Sequence, residues 1–155
     1  MPREMRISAK ADYAMRAVLE LAAAEDPPVT REDIAEHQHI PSSFLEKILS
    51  ELHRAGLVTS HRGTDGGYSL ARPAEDIPLA DVLRVIEGPL TMVRDQRPET
   101  LEYDGPAEGL TDAWLALRES MRTVLETTTV DDVMHQELPP AVAELIADDD
   151  SSSSS

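Results

Sequence analysis

The sequence predicts a mainly α-helical fold with a small β-hairpin wing, which is the outline of a winged helix-turn-helix with a long C-terminal helix. Two short helical segments and a turn precede a longer amphipathic helix that begins near Ser42. A glycine-rich turn at residues 63–67 joins two short strand-like runs directly after that helix. A second long apolar stripe begins at Leu110. Together these three observations favour a DNA-binding type of fold followed by a helical extension.

Capping residues predict the first two helices. Ser8 is placed to cap a helix that runs to about Ala24. Thr30, followed three residues later by Asp33, is placed to start a short second helix. Residues 39–41 then form a turn into the third helix. This order of short helix, turn and longer helix is typical of a helix-turn-helix, in which the last helix enters the major groove.

The third helix is predicted by an apolar stripe at steps of three and four residues. Ser42 or Ser43 can cap this helix, and Ser43 with Glu46 has the spacing of a capping box. Gly56 is expected to end it, because glycine adopts a left-handed conformation at low cost. The stripe consists of Phe44, Leu45, Ile48, Leu49 and Leu52.

A β-hairpin is predicted directly after the third helix. Residues 57–62 have the β-branched character of a short strand, and residues 68–70 form the return strand. Between them, residues 63–67 read Gly-Thr-Asp-Gly-Gly, which is a turn composition. The hairpin therefore corresponds to the wing of a winged helix-turn-helix.

Further helices are expected in the C-terminal half. Residues 79–88 predict a fourth helix that ends at Gly88, and residues 92–109 show no apolar period and are interpreted as a long loop. Thr129 and Asp132 can cap a last short helix. The intervening helix, which ends near Thr127, carries a seam that suits pairing between two chains, so it is predicted to be a dimerisation helix. Its seam residues are Leu110, Trp114, Leu117, Met121, Val124 and Leu125.

These patterns divide the chain into four segments. Residues 5–89 form the winged helix-turn-helix, and residues 90–109 form an acidic loop. Residues 110–136 contain the dimerisation helix and the short helix after it. Residues 146–155, which end in DDDSSSSS, are predicted to be a disordered acidic and serine-rich tail.

The charge of the chain is unusual for a DNA-binding protein. The formal net charge is -16, the opposite of the basic footprint of a nucleic-acid binder. Residues 1–92 hold 10 Lys and Arg against 15 Asp and Glu, whereas residues 93–155 hold 4 against 15, so the excess acid lies behind the predicted binding domain. Only two lysines are present. This composition favours a high-salt cytoplasm, as in a halophile, and the alternative is an acidic protein from an arginine-rich proteome.

Several classes of protein are disfavoured. The longest apolar stretch is interrupted by charges and no cleavage signal follows it, so we expect a cytoplasmic protein without a membrane partner. The chain has no cysteine, which excludes disulfides and thiolate metal sites. No nucleophile-base pairing, phosphate loop or metal-ligand spacing indicates an enzyme.

Four stretches together resemble the IscR/NsrR-type winged-helix regulators, also called the Rrf-two family. They are MRISAKADYAMRAVLELA at 5–22, DIAEHQHIPSSFLEKILSELHRAGLVTSHRGTDGGYSLAR at 33–72, ADVLRVIEGP at 80–89, and the Trp114 helix with TTTVDDV after it. The resemblance covers nearly the whole chain except the acidic tail. It implies a homodimeric transcription factor, in most cases a repressor, that binds a partly palindromic operator.

The resemblance also implies which residues contact DNA. The base-reading positions of the family fall on Ser42, Ser43, Phe44 and Lys47, and its wing arginine matches Arg62. Their chemistry fits this role, since hydroxyls and a lysine can bind bases or phosphates and an arginine on a glycine-rich turn can enter a narrow minor groove. Capping is the alternative role of the two serines, and a core contact is the alternative for Phe44. The remaining candidate for a phosphate contact is His61.

The sequence departs from the family at its sensor. Many members hold an iron-sulfur cluster with three cysteines before the dimerisation helix, and the matching loop here has none. The last of those cysteines falls near Glu108, and further ligand positions fall on Thr111 and Asp12. We therefore expect no iron-sulfur cluster, since such clusters rely on thiolate donors. A hard divalent cation at the acidic loop is the alternative to a solvated loop, with the candidate ligands Asp12, Asp95, Glu99, Glu102, Asp104 and Glu108.

Two functions from different classes remain open at this point. The first is a dimeric DNA-binding regulator that reads an inverted-repeat operator. The second is a winged-helix module that binds a protein partner and that does not bind DNA specifically, because its acidic surface repels the phosphates. The effector is not indicated by any motif.

Overall fold

The computed structural model describes residues 7–89 and 96–153, with the side chains described up to residue 147. The start of the first predicted segment at residue 5, the first part of the acidic loop and the last two residues of the tail lie outside these ranges. Within them, the helices are α1 (Ala9–Ala23), α2 (Arg31–Gln38), α3 (Ser42–Arg54), α4 (Leu79–Glu87), α5 (Leu110–Leu125), α6 (Val130–Met134) and α7 (Pro140–Ser153), and the strands are β1 (Val58–His61) and β2 (Gly67–Leu70). The predicted fold class is confirmed.

The caps predicted for the first two helices are present. The Ser8 side chain accepts a hydrogen bond from the Ala11 N–H, and the Thr30 side chain accepts one from the Asp33 N–H. His39 ends α2 in the left-handed conformation, with φ 54° and ψ 46°. These caps satisfy N–H groups that would otherwise lack partners at the helix ends. Consequently α1, α2 and the turn into α3 have the order expected of a helix-turn-helix.

The start of α3 differs from the prediction. Its N-cap residue is Pro41, which makes no side-chain capping hydrogen bond, so the predicted capping role of Ser42 and Ser43 is wrong. The helix begins one residue earlier than a capping serine would require, because proline has a backbone conformation suited to a helix start. The hydroxyl groups of both serines are therefore not used as caps.

The end of α3 matches the prediction. The Leu57 N–H donates to Leu52 O at 3.0 Å, and the Gly56 N–H donates to His53 O at 3.0 Å. This pair of hydrogen bonds is a Schellman motif, and it needs the positive φ of 81° that Gly56 adopts. Leu57 and Val58 are buried directly after it. The motif thus turns the chain from the recognition helix straight into the hairpin.

The hairpin is held to the rest of the domain by a third segment. β1 and β2 pair antiparallel, with Val58 opposite Leu70 and His61 opposite Gly67. Val29, in the linker before α2, forms an isolated bridge with Tyr68 through two backbone hydrogen bonds of 2.8 Å. This bridge fixes the base of the wing against the helix-turn-helix.

The C-terminal helices attach to the domain through α1, the first residue of α4 and the segment just before α4. Leu79 N–H donates to Thr128 O at 2.9 Å, and Val130 N–H donates to Ile77 O at 2.9 Å. The predicted cap of α6 is present as a complete capping box between Thr129 and Asp132. These contacts join the end of α5 and the whole of α6 to the core of the winged domain.

The tail differs from the expectation for residues 146–155. α7 extends over Pro140–Ser153 and so includes much of the segment that its composition predicts to be disordered. Pro140 is at the first helical position, and Val142 is buried while α7 packs against α5. Tertiary contact at the start of the helix therefore anchors a segment that composition alone assigns to a tail.

One apolar core unites the winged domain. It is formed by α1, α2, α3, the first strand, α4 and α6, and its largest fully buried side chains include Ile34, Leu45, Ile48, Leu49 and Leu52. All four of the stripe residues of α3 after Phe44 belong to this core. No helix in the described part of the chain combines the length and apolar character that a membrane span requires.

Candidate nucleic-acid interface

The exposed face of α3 is the first part of the candidate interface. Ser42, Ser43, Phe44 and Lys47 are all exposed, as the sequence predicts. The hydroxyls of the two serines have no hydrogen-bond partner among the described residues. Since the opposite face of α3 is fixed in the core, Ser43 and Lys47 point away from the domain.

The exposed face continues along the helix beyond the predicted residues. Ser50 and Arg54 follow Ser43 and Lys47 at steps of three and four, so all four share one side of α3. Arg54 Nη2 donates to Ser50 Oγ at 3.4 Å. Neither residue is among the DNA contacts predicted from the sequence, although the same helical spacing on the polar side of α3 indicates both.

Phe44 is neither a core residue nor free of contacts. Its side chain is 50% exposed, and its ring meets the Tyr13 ring edge-on, with the centroids 6.0 Å apart and an interplanar angle of 62°. Phe44 therefore contacts another side chain, as the alternative of a core contact predicts, but its contact with Tyr13 lies at the edge of the domain and not in the core. Phe44 still presents half of its side chain to solvent at the start of α3.

The wing supplies the second part of the candidate interface. Arg62 is exposed at the end of β1, and Gly63 beside it has a φ of 108° with open space around it. His61 is also exposed, and its Nε2 lies 2.8 Å from Ser69 Oγ on the neighbouring strand. The ring of His61 is therefore held across the hairpin, whereas the guanidinium of Arg62 is not held by any described partner.

Unpaired cations are concentrated on these two elements. In residues 7–89 and 96–147, most Lys and Arg side chains form ion pairs with carboxylates, for example Lys10 with Glu51 at 2.9 Å. The exceptions within those ranges are Lys47, Arg54, Arg62 and Arg97. Three of the four lie on α3 or the hairpin. The structure thus gathers unneutralised positive charge on one part of a strongly acidic protein.

One acidic side chain shares the exposed face of α3. Glu46 is exposed, and its Oε2 lies 3.5 Å from Nη1 of Arg31, the first residue of α2. This ion pair links the first helical turn of α2 to α3. At such exposure it contributes little stability, but it partly neutralises a carboxylate that would otherwise face DNA phosphates.

The predicted seam of α5 is divided between solvent and contacts within the chain. Leu110 is 39% and Leu117 is 40% exposed, whereas the other four seam residues are half-buried. None of the residues of α5 is fully buried, although the helix packs against α4 and α7. The helix therefore retains an apolar surface that the described residues of the chain do not cover.

The loop before α5 is fixed by side-chain contacts. Arg118 Nη1 donates to Glu99 Oε2 at 2.6 Å, and Trp114 Nε1 donates to the Tyr103 hydroxyl at 3.1 Å. A backbone hydrogen bond and the Arg118 guanidinium lower the pKa of Glu99 below its usual range. Leu101 is buried between these contacts. The described part of the loop thus packs against α5, although most of its side chains are exposed.

The acidic residues proposed as cation ligands are not brought together. Asp12 Oδ2 lies 3.0 Å from Nε of Arg16, and Glu99 is bonded to Arg118. Among the described residues, no group of three or more His, Asp or Glu side chains has the geometry to hold a metal ion. Asp95 lies outside the described residues. The pairing of Asp12 and Glu99 with arginines contradicts a shared cation site built on those two residues.

Comparison with known proteins shows the family of the chain. The family model Rrf2, described as an iron-dependent transcriptional regulator, matches residues 7–136. The chain belongs to the Rrf2 family. A Mycobacterium tuberculosis protein whose name assigns it as an HTH-type transcriptional regulator is 54% identical over 146 residues, 94% of this chain and 90% of that protein. The HTH-type transcriptional regulator CymR of Bacillus subtilis is 35% identical over 130 residues, 83% of this chain and 89% of CymR.

Solved structures of Rrf2-type regulators share the fold. The structure of CymR, the global cysteine regulator of B. subtilis, is 34% identical with a TM-score of 0.73, covering 86% of this chain and 98% of that one. The structure of IscR from T. potens is 32% identical with a TM-score of 0.69, covering 85% of this chain and 88% of that one. The family model and the relatives named above are those of transcriptional regulators. They confirm the resemblance to this family and the prediction that the chain is a regulator and not an enzyme.

The donor set of this Rrf2 chain does not fit an iron-sulfur cluster. The chain contains no cysteine, so it offers no thiolate to iron. At the positions that match cluster ligands in relatives, Asp12 is paired with Arg16, and Glu108 and Thr111 carry hard oxygen donors. The iron dependence in the family description therefore does not extend to this chain through a cysteine-held cluster.

Proposed function

We propose that this Rrf2-family chain is a homodimeric repressor that reads an inverted-repeat DNA operator and does so without an iron-sulfur cluster. The reading surface is the exposed face of α3 together with the tip of the wing. It consists of Ser42, Ser43, Phe44, Lys47, Ser50, Arg54, His61 and Arg62.

The observation that carries this proposal is the position of the unpaired cations. Lys47 and Arg54 on α3 and Arg62 on the wing lack a carboxylate partner among the described residues, whereas cations elsewhere are mostly neutralised within the chain. Free cations favour phosphate or guanine contacts, because no internal ion pair must break before DNA binds. A surface for an ordinary protein partner would not require this segregation in a protein of net charge -16.

The homodimer is supported by the surface of α5. Leu110 and Leu117 expose apolar surface on a helix without a fully buried residue. Pairing of α5 with a second copy covers this surface, and the two-fold symmetry of such a dimer relates the two copies of α3. Two recognition helices reach successive major grooves about 34 Å apart, so the operator is an inverted repeat.

Repression follows from occupancy and needs no further chemistry in the protein. A dimer that covers a promoter excludes the polymerase from the same DNA. Control of that occupancy without a cluster requires another signal. The loop that carries the thiolate ligands in cluster-binding relatives is here attached to α5 by the contact between Glu99 and Arg118. Ultraviolet-visible absorption and iron analysis of protein purified without oxygen test this part, and iron at one or more atoms per chain with cluster absorption contradicts it.

The reading surface is tested by selecting an operator from random double-stranded DNA and then measuring the affinities of variants. Arg62→Ala and Lys47→Ala each remove a free cation from the surface. We expect each to weaken operator binding by about tenfold or more, as is typical for loss of a base-contacting cation. Fluorescence anisotropy at several potassium chloride concentrations up to molar gives these affinities.

Arg97→Ala is the matched control. Arg97 also lacks an ion pair among the described residues, but it lies in the segment before α5 and not on the reading surface. We expect its operator affinity to change by less than about threefold, since an exposed charge away from the interface contributes little. Failure of the wild-type protein to select any sequence at any salt concentration would contradict the regulator and favour the alternative of a protein-interaction module.

A further inference from the structure

The first turn of α3 is attached to α1 through an aromatic contact. Phe44, in this first turn, forms an edge-to-face pair with Tyr13 on α1, with the ring centroids 6.0 Å apart. Tyr13 is half-buried among core side chains, whereas Phe44 is 50% exposed. An edge-on pair of this kind fixes the direction of the outer ring by contact with the inner one.

The inner ring is itself held by a cation. Arg16, one turn further along α1, places its guanidinium carbon 4.9 Å from the centroid of Tyr13. The same guanidinium donates through Nη1 to Gln38 O at 2.6 Å, at the last residue of α2. One arginine therefore joins the Tyr13 ring to the turn between α2 and α3. A cation over a partly desolvated ring restricts that ring further.

These contacts matter because the start of α3 lacks the usual restraint. Pro41 at the N-cap makes no side-chain hydrogen bond, so no cap fixes the first turn from inside the helix. The hydroxyls of Ser42 and Ser43 do not replace it. Lateral contact with α1 is thus the described side-chain interaction that orients Phe44.

We propose that Tyr13 is a positioning residue for DNA specificity: it fixes the Phe44 ring, and Arg16 fixes Tyr13, so that the exposed start of α3 meets base edges in one orientation. This inference rests on the proposed function of α3 as the operator-reading helix. Tyr13 acts through Phe44 and does not itself touch DNA. Its loss therefore lowers the selectivity for the operator and leaves the sequence-independent attraction to phosphates unchanged.

The test is a double-mutant cycle of Tyr13→Leu and Phe44→Leu, read as affinity for the selected operator and for a scrambled duplex at one salt concentration. We expect Tyr13→Leu to weaken operator binding by about threefold to tenfold, the range of an aromatic pair, with scrambled-duplex affinity unchanged. In the Phe44→Leu background, Tyr13→Leu should have no further effect. Tyr13→Phe keeps the aromatic ring, so this variant should bind the operator with the wild-type affinity.

Each other outcome overturns the inference. Equal weakening on both duplexes, or additive effects of the two substitutions, shows that Tyr13 acts through general stability and not through Phe44. Thermal melting of each variant identifies a folding defect, and Tyr13→Met, with an unbranched side chain that fills irregular space, replaces Tyr13→Leu if the latter does not fold. If the wild-type protein selects no operator, the proposed function fails; if it selects one and Tyr13→Leu retains full selectivity, only this inference fails.

Discussion

Thr128 is a buried polar residue at the junction of α5 and α6. Its side chain is 1% exposed, and its Oγ1 has no hydrogen-bond partner among the described residues, although its backbone carbonyl accepts from Leu79 N–H. A buried hydroxyl without a partner loses its hydrogen bonds to water and gains nothing in return. Thr128 therefore lowers the stability of the junction relative to an apolar residue of the same shape.

We expect Thr128→Val to raise the free energy of unfolding by about 1 kcal/mol, because valine keeps the shape and removes the unpaired hydroxyl. Urea denaturation followed by circular dichroism measures this change. Thr127→Val is the control, since Thr127 is exposed and its hydroxyl donates to Thr123 O, so that variant should gain nothing. A lower stability for Thr128→Val would show that a bound water satisfies the hydroxyl.

Gly67 is required where the wing meets the linker before α2. A Cβ at this position would lie 2.4 Å from Val29 O, and the residue has a φ of 149°. Gly63, at the hairpin tip, also has a positive φ, but a Cβ there would meet open space. Alanine substitutions at the two positions therefore distinguish two contributions to the free energy of unfolding. At Gly63 only the backbone conformation is unfavourable, whereas at Gly67 the added Cβ also clashes with the backbone.

We expect Gly67→Ala to destabilise the protein by about 2 kcal/mol and to weaken operator binding, because the added methyl group breaks the bridge between Val29 and Tyr68. Gly63→Ala should cost only about 1 kcal/mol from its backbone strain. Chemical denaturation of both variants gives the comparison. Equal losses of stability would mean that the linker moves aside and that the bridge does not position the wing.

At the scale of elements, α5 is the helix whose role depends most on a second chain. Its apolar seam contains the exposed Leu117, while the neighbouring Ala116 lies about 100° further around the helix, is also exposed and does not belong to the seam. Contacts with α4 and α7 cover only part of the seam. A charge placed at the centre of the seam would therefore oppose dimerisation without disturbing the winged domain.

We expect Leu117→Glu to convert the dimer to a monomer at micromolar concentration, because the interface would bury an unpaired carboxylate. Analytical ultracentrifugation measures the mass. Ala116→Glu adds the same charge to the solvent side and should remain dimeric. Two monomeric variants, or two dimeric ones, would show that the seam does not form the interface.

At the scale of the whole molecule, the few free cations limit the salt dependence of DNA binding. Each protomer offers Lys47, Arg54 and Arg62 on the proposed reading surface, and most of the net negative charge lies in residues 93–155, where 15 Asp and Glu stand against 4 Lys and Arg. A dimer that used all of them would release about five counterions, at roughly 0.9 for each phosphate contact. Base contacts must then supply a large share of the affinity at high salt.

We expect a plot of log affinity against log potassium chloride concentration to have a slope no steeper than about -5. Anisotropy titrations of the selected operator between about 0.1 and 1 M salt measure it. Arg62→Ala should make the slope shallower, because the dimer then makes fewer phosphate contacts. A much steeper slope in the wild-type protein would mean that cations outside α3 and the wing also contact DNA.

The sequence alone determined the order of the elements from α1 to α6 and the face of α3 that enters the core. Helical steps of three and four residues at Leu45, Ile48, Leu49 and Leu52, the caps at Ser8 and Thr30, and glycines after α3 are local signals, and each acts over a few residues. The absence of cysteine likewise needs no structure to exclude thiolate ligands.

Only the tertiary structure decided how side chains distant in sequence meet. It replaced the predicted serine cap of α3 with Pro41, anchored α7 on α5, and paired Asp12 and Glu99 with arginines where a cation site had been the alternative. It also placed Tyr13 against Phe44. Such contacts depend on how whole helices pack together. An apolar pattern within one helix predicts which face is buried, but it does not predict which residues of another helix that face contacts.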